Sequence, residues 1–433
     1  MRYTQRVLDP TLERLVASLP AICIEGPRAV GKTATATRLA ASVVALDDPA
    51  EAELLRASPE RIARLAEPIL VDEWQRVPAV WDRVRREVDR DPRPGRFLRT
   101  GSSSPTSAPT HSGAGRIVRL RMRPMTLMER ELCSPTVSLS TLLSQRDAPI
   151  EGECPLGIED YAEEIVASGF PALRTLTSEA RAFALDGYIE GILEHDFPEL
   201  GYVVRRPATL RAWLASYAAA SATTASYNTI LDAATSLVVD KPAKTTALAY
   251  RDVLNKLWLL DEVPAWTGTA NRLAGLAKAP KHHLADPALA ARLLGVEASL
   301  DGGAVARRGL LLDRPHHGPP IPRDGTLLGA LFESLVTLCV RVYAEASRAT
   351  ISHLRTARGE HEVDLIVRRD DGRFLAIEVK LGAEVTDEDT KHLRWLRSHV
   401  GDELLDTIVV TTGRAAYRRR DGIGVVPAGS LGV

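Results

Sequence analysis

Two stretches near the N-terminus hold the residue types, at the spacing, that phosphate chemistry needs. Gly26-Pro27-Arg28-Ala29-Val30-Gly31-Lys32-Thr33 matches the pattern Gly-x4-Gly-Lys-Ser/Thr in full. The glycines let the backbone wrap a phosphate chain with its N–H groups turned inward and a helix N-terminus behind them. Lys32 is then expected to reach the β- and γ-phosphate oxygens, and the Thr33 hydroxyl to ligate Mg2+. Further on, the apolar run Pro68-Ile69-Leu70-Val71 ends in Asp72-Glu73. A buried parallel strand would deliver Asp72 to the metal beside the phosphates and Glu73 to the attacking water as general base. Thr100 and Ser102, at the end of Phe97-Leu98-Arg99, are candidates for a polar sensor of the γ-phosphate. Arg116 is a candidate for stabilising transition-state charge, in cis or across subunits. ATP and Mg2+ are the cofactors these residues imply.

A second constellation lies near the C-terminus. Glu333 sits in a helical pattern, Asp364 in "EVDLIV", and Glu378 with Lys380 in "FLAIEVK". On a strand, residues 378 and 380 face the same way. Asp364 precedes them across an Asp370-Asp371-Gly372 turn, the signature of a hairpin. Three carboxylates and a lysine at one point can hold one or two Mg2+ ions, the lysine orienting or deprotonating water for phosphodiester hydrolysis. Glu-x-Lys on a strand and acids flanking an Asp-Gly turn also occur as plain solvated surface. The apolar neighbours Leu365-Ile366-Val367 and Leu375-Ala376-Ile377 argue for buried strands, where acids are costly unless paired or metal-bound.

The elements that must position these residues can be read from apolar rhythm. Ala21–Glu25, Val43–Leu46, Ile69–Val71 and Phe97–Leu98 are short apolar runs separated by helical stretches, as in a parallel α/β sheet. Residues 102–115, rich in Ser, Thr, Pro and Gly, are expected to be a loop. Residues 131–200 read as acidic and helical. Residues 205–260 hold helix-period segments followed by an apolar run at Leu257–Val263, resembling a winged helix-turn-helix. His316–Asp324, with three prolines, reads as a linker. Beyond it the pattern predicts a helix over Leu327–Ala346, strands near Val363–Arg368 and Phe374–Lys380, a helix near Asp387–His399 and a strand at Thr407–Thr411.

Charge supports this division. Residues 1–130 carry 22 Lys/Arg against 16 Asp/Glu, 131–200 carry 3 against 14, 201–325 carry 15 against 10, and 326–433 carry 15 against 16. Shifts of that size mark different surfaces, yet no segment has the strongly basic balance of a free-standing DNA-binding domain. Arg205-Arg206 and Arg307-Arg308 read as solvated surface, available to nucleic acid if it binds. The cysteines Cys23, Cys133, Cys154 and Cys339 never form Cys-x-x-Cys, which excludes a cysteine-rich zinc site or a disulfide framework and fits a reducing cytoplasm. His282-His283 and His316-His317 read as solvated loop histidines. No apolar run is seen to approach the ~20 residues of a membrane span, so no membrane partner is expected.

The motifs carry two family resemblances. "IEGPRAVGKT", "LDDP", "ILVDEWQRVP", "TGSSS" and "RMRPMTLME", continuing through "SGFPALR", "YIEGILEHDFPELG" and "KAPKHHLADPALAARLLG", resemble the prokaryotic AAA-type ATPases, related to STAND NTPases, that bear a C-terminal domain of unknown function. That resemblance covers nearly the whole chain and implies an ATPase core, a helical lid, a winged-helix-like segment and a terminal domain. Trp74 departs from it, standing where the family usually has a smaller aliphatic residue. Glu333, Asp364, Glu378 and Lys380 resemble the PD-(D/E)XK nuclease superfamily, with Val363-Asp364 in place of Pro-Asp. The expected fold class is therefore α/β: a P-loop NTPase core (1–130), an acidic helical lid (131–200), a winged-helix-like middle (201–315) and a restriction-endonuclease-like domain (325–433). The expected function is a Mg2+-dependent ATPase coupled to a nuclease-like domain acting on or binding DNA. The alternatives are a nucleotide-dependent switch, self-associating or signalling to a protein partner through a non-catalytic C-terminal domain, and a DNA-binding regulator.

Overall fold

A computed structural model describes residues 3–103, 114–236, 242–267, 279–296, 321, 325–356 and 358–433. Most of the expected loop at 102–115, most of the linker at 316–324, and Arg307-Arg308 lie outside the described residues.

The N-terminal sheet holds β1 (Ala21–Glu25), β2 (Ser42–Ala45), β3 (Ile69–Asp72), β4 (Phe97–Gly101) and β5 (Val118–Arg121) in the order β2-β3-β4-β1-β5. Every pairing is parallel. β1, β3 and β4 are buried along their whole length, which is why each opens on an apolar run before its polar carboxyl end. All their carboxyl ends point the same way, so the turn after β1, the acids after β3 and the hydroxyls after β4 meet at one sheet edge. Trp74 belongs to the core on one face of this sheet and stacks against Trp81 with ring centroids 4.8 Å apart. The buried guanidinium of Arg99 lies 3.9 Å from the Trp81 centroid and 5.4 Å from that of Trp74. The aromatic replacement thus alters packing beside the acids and removes none of their polar groups.

The expected lid does not stand as one unit. β6 (Val137–Ser138) pairs with β14 (Leu431–Gly432), and β7 (Gly152–Glu153) pairs with β12 (Ala415–Arg418). Gly152–Glu153 therefore forms the edge of the C-terminal sheet, and Val137–Ser138 makes a separate two-stranded sheet with the last strand. Helices Ile158–Ala167 and Ser178–Gly191 follow, and the latter runs into a π-helical turn at Ile192–Asp196. The sulfurs of Cys133 and Cys154, distant in sequence, come within 3.3 Å as free thiols.

In the middle segment, helices Pro207–Ala219, Tyr227–Ala234 and Lys244–Lys256 precede a short antiparallel pair bridged at Leu260–Leu284 and Val263–Lys281. His282 and His283 lie on that pair and are buried, contrary to the solvated-loop expectation. A ring nitrogen of His282 meets the Ala225 carbonyl at 2.8 Å, and one of His283 meets the Ser334 hydroxyl at 2.8 Å. Neighbouring helices bury them, the Tyr217 and Tyr227 rings each 5.1 Å from that of His282, which residue type alone does not reveal.

The C-terminal sheet adds β8 (Ala349–Arg355), β9 (Glu362–Arg369), β10 (Phe374–Lys380), β11 (Leu404–Thr411) and β13 (Gly424–Pro427), in the order β7-β12-β13-β11-β10-β9-β8. β9 and β10 form the expected hairpin, its turn closed by Gly372 at φ +87°. Helix Leu327–Ala346, capped by the Thr326 hydroxyl on the Gly329 N–H, packs across this sheet. By length and composition this helix could cross a bilayer, which corrects the expectation that nothing here approaches that length; it is mostly buried in the protein core. That core is shared: one continuous apolar cluster joins a face of the N-terminal sheet, the intervening helices and a face of the C-terminal sheet.

Candidate functional site

At the carboxyl edge of the N-terminal sheet the backbone from Gly26 to Gly31 curls into a cradle. Gly26 has φ +154°, and a Cβ there would lie 2.1 Å from the Met122 carbonyl oxygen. Ala29 (φ +65°) and Gly31 (φ +100°) are also left-handed, a backbone that turns successive N–H groups to one side. The Lys32 ammonium donates to the carbonyls of Gly26 at 3.0 Å and Pro27 at 2.7 Å. Burial pulls it down to about 8, so a phosphate arriving there meets a poorly solvated cation.

Beside this loop the Thr33 hydroxyl donates to both Asp72 carboxylate oxygens at 2.9 Å, and the Thr100 hydroxyl donates to Asp72 as well. Burial raises Asp72 above the ordinary aspartate value. Glu73 is left-handed (φ +50°), an uncommon conformation for a non-glycine residue. Its carboxylate accepts from the Ser102 hydroxyl at 2.8 Å and from the Gln75 amide. Lys32, Thr33, Asp72, Glu73, Thr100 and Ser102 are thus brought to one place. Thr33 and Asp72 are hard oxygen donors suited to Mg2+, which would supply charge neutralisation between phosphate oxygens.

Arg116 is not brought there. It precedes β5, whose Val118 pairs with Ile22 near the start of β1, so it lies at the opposite edge of the sheet, and its guanidinium pairs with Asp89 at 2.8 Å. A role in cis does not hold. Arg116→Ala is expected to leave ATP turnover within about twofold, as exposed positions remote from a site shift free energies by no more than ~0.5 kcal/mol. A loss of a hundredfold in a turnover assay would reveal action across subunits. The arginine that does sit on the loop is Arg28, paired with Asp196 and, at 2.5 Å, with Glu199 just beyond the π-helical turn.

The C-terminal acids also converge, though not as expected. Glu333, Asp364, Glu378 and Lys380 line a cleft of about 920 Å³. Asp364 accepts from the Val379 N–H at 2.8 Å, and the Lys380 ammonium lies 2.9 Å from one oxygen of Glu378. The centre of the cluster is filled by Lys281, a residue the sequence reading passed over. Its ammonium lies 2.9 Å from Glu333, 2.9 Å from Asp364 and 3.0 Å from Glu362, a fourth acid also missed. Among the described residues, no three Asp, Glu, His or Cys side chains are arranged to hold a metal ion. As it stands the cleft therefore does not fit the expected metal. Burial and the Asp364 charge push Glu333 up to about 8. Burial would raise Asp364 too, but Lys281 and Lys380 hold it below the usual range. Glu362 had a legible signal, two residues before Asp364 on one strand face. Lys281 had none, because only tertiary packing brings it there.

A chain of contacts joins the two sites. Arg6 donates to the Val30 carbonyl of the phosphate loop at 2.7 Å and to the Arg123 carbonyl at 2.6 Å. The Arg123 side chain grips Asp261 at 2.7 Å, with Arg121 and Arg341 at 3.1 and 3.5 Å. Asp261 lies on the antiparallel pair that carries Lys281, its N–H bonded to the His283 carbonyl at 2.9 Å.

Comparison with known proteins agrees with the N-terminal geometry. Residues 18–131 match the family model described as an AAA domain. The match supports a nucleotide-binding AAA-type ATPase domain within a mixed α/β chain. Residues 158–300 match a domain of unknown function (DUF8612), and 328–431 match another (DUF4143). Among similar proteins are an uncharacterized protein of Mycobacterium bovis and one of Mycobacterium tuberculosis, each 27% identical over 314 residues, or 69% of this chain. The match spans 62% of the length of those relatives.

Proposed function

We propose that the chain is a Mg2+-dependent ATPase whose nucleotide state governs a C-terminal cleft that acts on or binds DNA. The observation that carries the ATPase half is the contact of the Thr33 hydroxyl with both oxygens of Asp72 at 2.9 Å, beside the Lys32 loop and the Glu73 carboxylate. In this reading the loop N–H groups and Lys32 bind the triphosphate. Thr100 orients Asp72, while Ser102 and Gln75 hold Glu73 where it can take a proton from water. The DNA half is supported by the size of the cleft and by cationic Lys380 and Arg355 among its acids. A second reading, a nucleotide switch with a non-catalytic C-terminal domain, is favoured by Lys281 standing at the centre of those acids.

Phosphate release from ATP, together with cleavage of duplex, single-stranded and branched DNA, separates the two. The proposal expects Lys32→Ala to lose ATP turnover and with it any response of DNA cleavage to ATP, and expects Glu378→Ala to lose Mg2+-dependent cleavage while keeping ATP turnover. Turnover undiminished in Lys32→Ala would contradict the ATPase half. No cleavage of any substrate would leave the switch.

A further inference from the structure

The C-terminal cleft holds a cation that belongs to the chain itself. Lys281 is almost wholly buried, and it arrives from the middle segment, not from the sheet that carries the acids. Its three N–H donors are matched by three carboxylates, Glu333, Glu362 and Asp364, at hydrogen-bond distance. Oxygens held 2.9–3.0 Å from an ammonium are too spread to enclose Mg2+, which needs them at about 2.0–2.1 Å. Yet the cluster is not satisfied by its own cations. Among the described residues four carboxylates, counting Glu378, share the cleft with Lys281, Lys380, Arg355 and His392, Arg355 being paired with Glu362 at 3.1 Å. The second oxygen of Glu378, in a residue 4% exposed, has no hydrogen-bond partner among the described residues. A buried carboxylate oxygen without a partner, in a residue that lines the cleft, is what a further cation would answer.

We propose that Lys281 is an internal stopper: its ammonium occupies the place of a divalent cation among Glu333, Asp364 and Glu378, so the cleft takes up Mg2+ or Mn2+ only when that side chain is withdrawn. This rests on the reading that these acids serve a metal. The backbone of Lys281 is bonded in both directions to Val263 at 2.9 Å, two residues from Asp261. A shift of the strand that Arg123 holds is therefore a shift of the stopper. The device keeps the C-terminal site silent in the resting chain and ties its metal uptake to the segment that contacts the nucleotide loop.

Mn2+ titration of the nucleotide-free full chain, followed by electron paramagnetic resonance, tests this. Lys281→Met is expected to bind one Mn2+ roughly 10- to 100-fold more tightly than wild type, the range over which groups around ligands alter metal affinity. Lys281→Arg is expected to behave as wild type, and adding Asp364→Asn to Lys281→Met should abolish the gain. Equal affinity in wild type and Lys281→Met, lost with Asp364→Asn, would overturn the stopper and leave the metal reading standing. No Asp364-dependent ion in either protein would overturn both. Lys281→Gln, less disruptive to the buried acids, is titrated alongside, with melting curves for all variants, and the same outcomes apply to it should Lys281→Met not fold.

Discussion

Glu73→Gln is expected to retain nucleotide binding while lowering kcat for ATP hydrolysis by about 10²–10⁴-fold, the span contributed by a positioned general base. Glutamine fills the same volume and can still meet the Ser102 hydroxyl and the Gln75 amide, so the end of β3 keeps its shape. Only the capacity to accept a proton from water is lost. Binding of a fluorescent ATP analogue beside steady-state phosphate release checks this. Turnover close to wild type would place the base elsewhere. Loss of binding as well would mean that Glu73 shapes the loop rather than serving the chemistry.

Asp261→Asn is expected to destabilise the whole chain by about 3–5 kcal/mol, the cost of removing one partner from a buried charge network. Arg121, Arg123 and Arg341 would lose the carboxylate they share, and only half-exposed Glu345, 2.6 Å from Arg123, would remain to offset three buried guanidiniums. Burial alone would raise the Asp261 carboxyl, but these three arginines outweigh it and hold it far below the usual range. The sign follows: the stabilisation is fully present above the ordinary aspartate value of 3.8 and fades only at lower pH. The gap in melting temperature between wild type and Asp261→Asn should be several degrees and constant from pH 5 to 8. A gap that closes within that window would mean that Asp261 is not held ionised by the arginines.

The parts of this architecture that were legible in the sequence are those whose chemistry is local. The phosphate loop announces itself because Gly26 and Gly31 stand where a side chain would strike Met122 or strain the backbone. The strand Ile69–Asp72 is readable because both faces are buried, leaving an unbroken apolar run that ends in acid. The β9–β10 hairpin follows from alternation and an Asp-Gly turn. What escaped depends on distant segments meeting. Residues 137–153 pair with the C-terminal strands β14 and β12 through strands of two residues each, too short to leave a period. Arg116 is four residues from Leu120, yet a parallel register puts it at the wrong sheet edge. Asp261 did leave a trace, an acid inside the apolar run Leu257–Val263, where burial demands a cationic partner. Lys281 left none, since its meaning comes from three acids that are 52, 81 and 83 positions further along the chain.

The central claim is that the turn beginning at Gly26 grips a triphosphate. Isothermal titration calorimetry of ATP with Mg2+ into the full chain, wild type against Lys32→Ala, tests it most directly. The account predicts one nucleotide per wild-type chain and an affinity at least about tenfold weaker in the variant, for the loss of a charge-assisted phosphate contact. Heat absent from well-folded wild type, or an affinity that Lys32→Ala leaves untouched, would contradict it.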